Sequence, residues 1–395
     1  MTVSEHTSYD VVIIGGGVIG SSVAYFLTRD SMLSVAVVEC DPSYEKSATP
    51  RSAGGVRSQF STRPNVMMSL FGAEFVRTAP DLLAVDGDRP AIGFRENGYL
   101  LLASDAGVAQ LQENHVLQTD CGAAVSILDR ADLAHRFPWL NLTDLACGAF
   151  GEQNEGWLDP YSLLQGFKRK ARAQGAKYIT DTVVGLTRTD GRIDKVLLQS
   201  GQTLSCGAVV NASGVNGRQT AAMAGITDLP VFGKKRQIFA FNCKEPIAKM
   251  PLTVDPSGVY CRPENEMFIC GLAPPEDDDP DSASFDVDHG QFENDIWPVL
   301  ATRIPQFEAI KVVNAWAGHY DVNLFDQNAI LGPHPEITNF HFANGFSGHG
   351  LQQSPAVGRA LSEMIITGRY TSLDLSDFGY DRIARNRPIL EKNVI

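Results

Sequence analysis

The chain has 395 residues, 44% of them hydrophobic and 20% charged, with a formal net charge of -13. That length suits two domains with sizeable cores, the composition excludes a disordered or fibrous chain, and the acidic balance repels phosphate backbones, so no nucleic-acid partner is expected. No run approaches the roughly 18 apolar residues of a membrane helix and the N-terminus lacks the pattern of a signal peptide, so no membrane span and a cytoplasmic location are expected.

From Tyr9 to Ile14 the β-branched run Tyr-Asp-Val-Val-Ile-Ile predicts a strand buried on both faces. Gly-Gly-Gly-Val-Ile-Gly follows. Gly15 suits a tight turn, Gly17 lets backbone amides approach a pyrophosphate, and Gly20 lets the next helix pack closely, with Val18 and Ile19 at its start. The helix, running through Ser21 to Arg29, aims its N-terminal partial charge at the anion. A second strand, Ser34 to Val38, ends at Glu39. An acid there, about 20 residues on, is where the fold places the carboxylate that holds an adenosine ribose. Glu39 argues against a 2'-phosphate, which leaves FAD and NAD.

Residues 47 to 60 form a loop of small residues carrying Ser47, Ala53, Gly54, Gly55, Arg57 and Gln59. Further on, Asp159, Pro160 and Gly175 bracket a helix with Leu163, Leu164, Phe167 and Ala171 as its stripe. Val183 to Thr189, Lys195 to Leu198 and Thr203 to Val210 predict a meander turning at Asp190-Gly191 and Ser200-Gly201. Other strand-like runs are Gly98 to Leu102, Gln237 to Phe241 and Met267 to Leu272. The acidic stretch 276 to 288 is expected to be a solvated loop with no function. Near the end, Ser354 and Pro355 predict a helix start and Gly368 its stop. Seven cysteines without a CxxC pair indicate reduced thiols and no metal site.

The dinucleotide unit, the loop at 47 to 60 and Asn-Gly-Phe-Ser-Gly-His-Gly-Leu-Gln-Gln-Ser-Pro at 344 to 355 together resemble the amine-oxidising flavoproteins of the D-amino acid oxidase, glycine oxidase and sarcosine oxidase superfamily. Asn-Ala-Ser-Gly at 211 to 214, Arg-Phe-Pro-Trp-Leu at 136 to 140 and Gly-Trp-Leu-Asp-Pro at 156 to 160 extend the resemblance over nearly the whole chain. Trp-Ala-Gly-His-Tyr-Asp at 316 to 321 and Phe-Asp-Gln-Asn at 325 to 328 look closest to a branch containing a mitochondrial FAD-dependent oxidoreductase linked to respiratory complex I assembly.

The resemblance implies an α/β fold (α+β overall): a Rossmann-like FAD-binding domain, discontinuous over 8–82, 151–222 and 323–395, with an interleaved, mainly antiparallel substrate domain over 83–150 and 223–322. It implies FAD, held noncovalently, on the residues already named and on Val183, Val184, Ala212, Ser213, Gly214, Gly345, Gly348, His349, Gly350, Leu351 and Gln352. Arg57, Tyr260, His319 and His349 become catalytic candidates, with Gln59, Arg262, Tyr320 and Gln352 as substrate-binding candidates.

The implied reaction is oxidation of the C-N bond of an amino acid or secondary amine to an imine, by hydride transfer to flavin N5 and then hydrolysis. Electrons pass to O2, giving H2O2, or to a carrier; oligomers are possible. Two departures from the sarcosine oxidase pattern bear on this: Gln352 and Ala273 stand where that enzyme has lysines that hold a carboxylate and help oxygen react. An amine dehydrogenase that does not use O2, and an assembly or binding factor with structural FAD, are the alternatives.

Overall fold

Val11, Val12, Ile13 and Ile14 are at most 5% exposed in the computed structural model, which describes residues 6–245, 247–275 and 278–392. A strand so deeply buried needs a partner on each edge and helices over each face. Its partners are parallel: His6–Ile14 pairs with Val35–Glu39 on one side and with Thr203–Asn211 on the other. The sheet runs in the order Ile330–Pro333, Phe340–Asn344, Thr203–Asn211, His6–Ile14, Val35–Glu39, Lys177–Thr180. The predicted meander joins it through its third strand. Asp190 (φ 50°) and Gly191 (φ 80°) both turn left-handed there, as a two-residue hairpin loop of matching twist requires.

One face of this sheet is covered by Val18–Asp30, Arg63–Leu82, Pro160–Ala173 and Gly350–Thr367, whose apolar stripes meet in a single core containing Tyr25, Phe26, Phe75 and Phe167. The start of Pro160–Ala173 is fixed as expected: the Asp159 carboxylate accepts from Ser162 N at 2.9 Å, and Gly175 (φ 107°) follows its end.

The helix expected to begin at Ser354-Pro355 starts a turn earlier, at Gly350, and carries both residues in its interior. Proline there has no amide to give to the carbonyl four residues back, which would normally break the helix. The Ser354 hydroxyl donates to that carbonyl, Leu351 O, at 2.8 Å and fills the gap.

The second sheet runs Ile310–Asn323, Val231–Cys243, Met267–Gly271, Tyr260–Glu264, Leu252–Val254, Tyr99–Ala103, Cys147–Gly151, Val125–Asp129. It is antiparallel except where Leu252–Val254 meets Tyr99–Ala103. Part of the acidic stretch, Glu276 and Asp277, lies outside the described residues. The rest is the solvated loop expected, with no buried residue, but it is tied to a neighbouring strand. Arg236 grips the Asp279 carboxylate at 2.8 and 2.9 Å, Lys234 meets Asp281 at 3.1 Å, and Lys235 donates to Asp286 O at 3.1 Å. Three consecutive cations on one strand thus draw the acidic segment across it as a strap. All seven cysteines are free. Among the described residues no helix is long and apolar enough to cross a membrane, and no cluster of metal-ligating side chains occurs.

Candidate active site

The C-terminal ends of the parallel strands open into a cavity of about 570 Å³, the crevice in which open α/β sheets bind ligands. Gly15, Gly17, Val18, Ile19 and Glu39 line its floor and Ser47 one wall. Val183, Ala212, Ser213 and Gly214 close one end, and Gly348, Gly350 and Leu351 the other. Val184, expected beside Val183, is 53% exposed and outside the cavity.

The three glycines of the first turn do different work. A Cβ on Gly15 (φ 99°) would lie 2.4 Å from Ala212 O, and one on Gly20 would lie 1.9 Å from Gly15 O. These two let the backbone close on itself. A Cβ on Gly17 would meet nothing nearer than the Ser47 and Thr49 hydroxyls at 3.8 Å. Gly17 therefore keeps space open. The cap residue of the helix it begins offers no side chain and the first turn has no acid, so, apart from Val18 N, which donates to Thr49 Oγ1 at 3.3 Å, the leading amides and the dipole are left to face the cavity. The helix Gly350–Thr367 begins at the other end in the same state.

Glu39 accepts from Gly16 N at 2.7 Å through one oxygen and from Asp41 N at 2.8 Å through the other, which fixes the carboxylate at the cavity wall. Two uncapped helix starts, a glycine-lined floor and an anchored acid fit a dinucleotide: amides for pyrophosphate, Glu39 for ribose hydroxyls.

Gly54 and Gly55 do not line the cavity; Gly55 pairs with Trp157, Gly54 O accepts from Leu158 N at 3.0 Å, and a Cβ on Gly54 would lie 2.3 Å from Leu158 O. Ala53 likewise shapes the loop, its carbonyl accepting from Arg262 Nε at 2.8 Å. Arg262 is spent on that contact and on Glu264 at 2.5 Å, over the Trp157 ring, so its fork is not open to a ligand. Gly345 N donates to Asp321 at 2.9 Å, and a Cβ on Gly348 would strike the Tyr320 ring at 2.3 Å.

Arg57 is carried into this region by the loop 57–60. Its guanidinium donates to Gln59 O at 2.7 Å, lies 3.3 Å from His349 Nε2 and stacks 4.3 Å from the centre of the Phe60 ring. Among the described residues no carboxylate lies within ion-pair distance of it. Burial and the Arg57 charge push the His349 pKa down to about 3, so the imidazole is neutral and Nε2 accepts from the guanidinium. Gln352 holds the loop: its Oε1 accepts from Arg57 N at 2.7 Å, and Gln59 turns inward to Tyr99 O and Glu155. His319 lines the cavity with Nε2 on Ser284 O at 3.1 Å, beneath Phe285 of the strap. Burial pushes its pKa down, so the Nδ1 lone pair is free. Tyr320 lines the cavity, and Tyr260 stands near it; burial raises the pKa of both phenols.

Three residues escaped the sequence reading. Asp321 faces the cavity and holds Gly345; its neighbour Tyr320 in the Trp-Ala-Gly-His-Tyr-Asp run was the available signal. Tyr99 and Glu155 carried none, because what marks them is three-dimensional: Tyr99 lies 6.0 Å from the Arg57 guanidinium, and Glu155 is wholly buried.

Comparison with known proteins agrees with this geometry. The chain is 42% identical over 422 residues to FAD-dependent oxidoreductase domain-containing protein 1 of Xenopus laevis, covering 98% of this chain and 85% of that one. It is 25% identical to mitochondrial dimethylglycine dehydrogenase of Mus musculus, over 91% of this chain and 42% of that one. Among solved structures, L-proline dehydrogenase from P. horikoshii superposes with a TM-score of 0.87 at 24% identity, covering 97% of this chain and all of that one (100%). The model of the DAO family, described as FAD dependent oxidoreductase, matches residues 10–364, and the chain belongs to that family of FAD-dependent enzymes.

Proposed function

We propose that this chain oxidises the C-N bond of a small amino acid bearing a secondary or N-alkyl amine, giving an imine that water then hydrolyses. The observation that carries the reading is Arg57: a half-buried cation with no carboxylate partner among the described residues, presented beside His349 at the edge of the cofactor cavity. A guanidinium so placed matches the carboxylate of an amino acid. FAD, when bound, supplies the acceptor for the two electrons and the hydrogen of the broken C-H bond.

The chain's own groups do the rest. Arg57 orients the substrate by its carboxylate. Neutral His349 keeps the guanidinium in place without adding charge. His319, with Nδ1 free, accepts the proton that leaves the amine nitrogen. Tyr260 and Tyr320, kept as phenols by burial, wall the site and exclude water. FAD is held noncovalently in this reading.

A second reading concerns the electron acceptor. Ala273, directly after the strand Met267–Gly271 and Leu272, leaves no cation to assist oxygen there, and two of the relatives are named dehydrogenases. A carrier rather than O2 is the acceptor on this reading. Anaerobic mixing with sarcosine, dimethylglycine, proline and D-amino acids tests both: one of them bleaches the flavin, and admitted air restores colour only slowly, giving peroxide at that same slow rate, whereas an added redox dye restores it fast. A flavin that no member reduces refutes the catalytic reading, and fast reoxidation with peroxide refutes the second.

A further inference from the structure

Glu155 is the most deeply buried acid near the site, with no exposed surface, and the reaction described above makes no use of it. It lies between the strands Cys147–Gly151 and Gly156–Trp157. Its carboxyl occupies space that only glycine leaves: a Cβ on Gly151 would lie 2.2 Å from its carboxyl carbon. One oxygen accepts from Ser58 N at 2.8 Å and from the Ser58 hydroxyl at 2.5 Å, and the other from Gln59 Nε2 at 2.7 Å. Those donors are neutral. An acid held this way is stabilised as a carboxylate by its hydrogen bonds, yet burial opposes the charge.

The two residues that grip Glu155 immediately follow Arg57, and the Arg57 guanidinium donates back to Gln59 O at 2.7 Å. Arg57 has no carboxylate within ion-pair distance among the described residues, and its charge is the cationic influence on Glu155. The two charges are therefore linked through Ser58 and Gln59, whose neutral groups contact Glu155 on one side and, through Gln59 O, Arg57 on the other.

We propose that Glu155 is the internal counter-ion of Arg57, and that it yields this role to the carboxylate of an arriving substrate by taking up one proton from water. This rests on the reading of Arg57 as the carboxylate clamp. In the open site the charges are one positive and one negative. With substrate bound there would be one positive and two negative in a buried site, and the proton on Glu155 restores balance. Glu155 is thus a positioning residue that acts through Arg57 and makes substrate affinity proton-linked.

Other titratable groups packed around the pair are Tyr99, Tyr320 and His349, which burial keeps neutral, and Asp321 on Ile310–Asn323. Asp321 is present in any Glu155 variant, so the difference between variant and wild type isolates Glu155. Burial pushes the Glu155 pKa up against the pull of Ser58, Gln59 and Arg57, the direction that readies it to take a proton.

The test uses the FAD-loaded full chain and acetate, the simplest carboxylate, read by the change in flavin absorbance between pH 5.5 and 8.5. Wild type should bind acetate more weakly as pH rises, by up to about tenfold per pH unit, because uptake of one proton is linked to binding. Glu155→Gln keeps the volume and cannot take the proton, so its Kd should lose that slope while FAD stays bound. Calorimetry of wild type in two buffers of different ionisation enthalpy counts the protons directly and needs no variant; up to one proton per acetate is expected. A Glu155→Gln protein that keeps the wild-type slope, or acetate binding without proton uptake by wild type, overturns the counter-ion role alone. Wild type and Arg57→Ala binding acetate equally well overturns the clamp as well.

Discussion

Substituting alanine separately at Gly15 and Gly17 should separate folding from cofactor binding, although the two glycines are only two positions apart. At Gly15 the backbone has φ 99°, and the new methyl would stand 2.4 Å from the carbonyl oxygen of Ala212, just past the end of the neighbouring strand. Backbone strain of this kind costs on the order of 1–3 kcal/mol, and prising packed strands apart adds roughly 1–3 kcal/mol more. Gly15→Ala should therefore destabilise the apoprotein by about 2–6 kcal/mol. Gly17 has φ -61° and an open neighbourhood. Gly17→Ala should leave the apoprotein unharmed, or stabilise it by roughly 0.4–1 kcal/mol through the unfolded chain. Its methyl, however, stands in the cavity at the uncapped helix start, and FAD affinity should fall at least about tenfold, or roughly 1.4 kcal/mol. Denaturant unfolding of the two apoproteins and fluorescence titration with FAD give both numbers. Equal destabilisation of the two apoproteins, or wild-type FAD affinity in Gly17→Ala, would refute the division of labour.

Three further outcomes follow from the site and its supports. Arg57→Ala should retain FAD yet lose about 10- to 100-fold in kcat/KM for an amino-acid substrate, the worth of a charge-assisted contact of roughly 1.5–3 kcal/mol; rapid-mixing reduction kinetics decide it. Burial raises the Asp321 pKa from 3.8 to about 6, so the folded protein holds that proton more tightly than the unfolded chain does. Its carboxyl should then subtract stability as pH rises from about 4 to 6, and Asp321→Asn should flatten the unfolding curve over that window. Arg382 meets Asp326 at 2.8 and 3.0 Å, both side chains being 5% exposed or less. Arg382→Met should cost about 3–5 kcal/mol by stranding a buried carboxylate, and the double variant with Asp326→Leu should recover much of that thermal stability.

How much of this was legible in the sequence depended on how local the physics is. The first strand, the glycine turn, the helix and Glu39 lie within forty residues and each constrains the next, so their arrangement reads directly. The Asp159 cap and the Asp190-Gly191 turn are equally local. The helix Gly350–Thr367 misled because Ser-Pro is a normal helix opening; only the hydroxyl of Ser354 bonding back to Leu351 reveals an interior position. The acidic stretch reads correctly as a solvated loop, but what ties it down does not, because its countercharges, Lys234, Lys235 and Arg236, sit more than forty residues earlier in the chain. Arg262 has the chemistry of a clamp, but its partner Glu264 is two residues along the same strand. Glu155 is unremarkable in sequence because its meaning depends on a distant loop folding over it.

The pairing of His6–Ile14 with Thr203–Asn211, and of that strand with Phe340–Asn344, also has a consequence for the order in which the molecule assembles. The central strand is made before both of its partners and waits for nearly two hundred residues before its second edge is covered, and the helix that completes the cavity is made after all the strands described. Such non-local closure is slow and leaves apolar strand edges exposed meanwhile. The glycine turn cannot hold a cofactor as an excised fragment, and any truncation before the helix Gly350–Thr367 should leave a chain that depends on chaperones and never turns yellow.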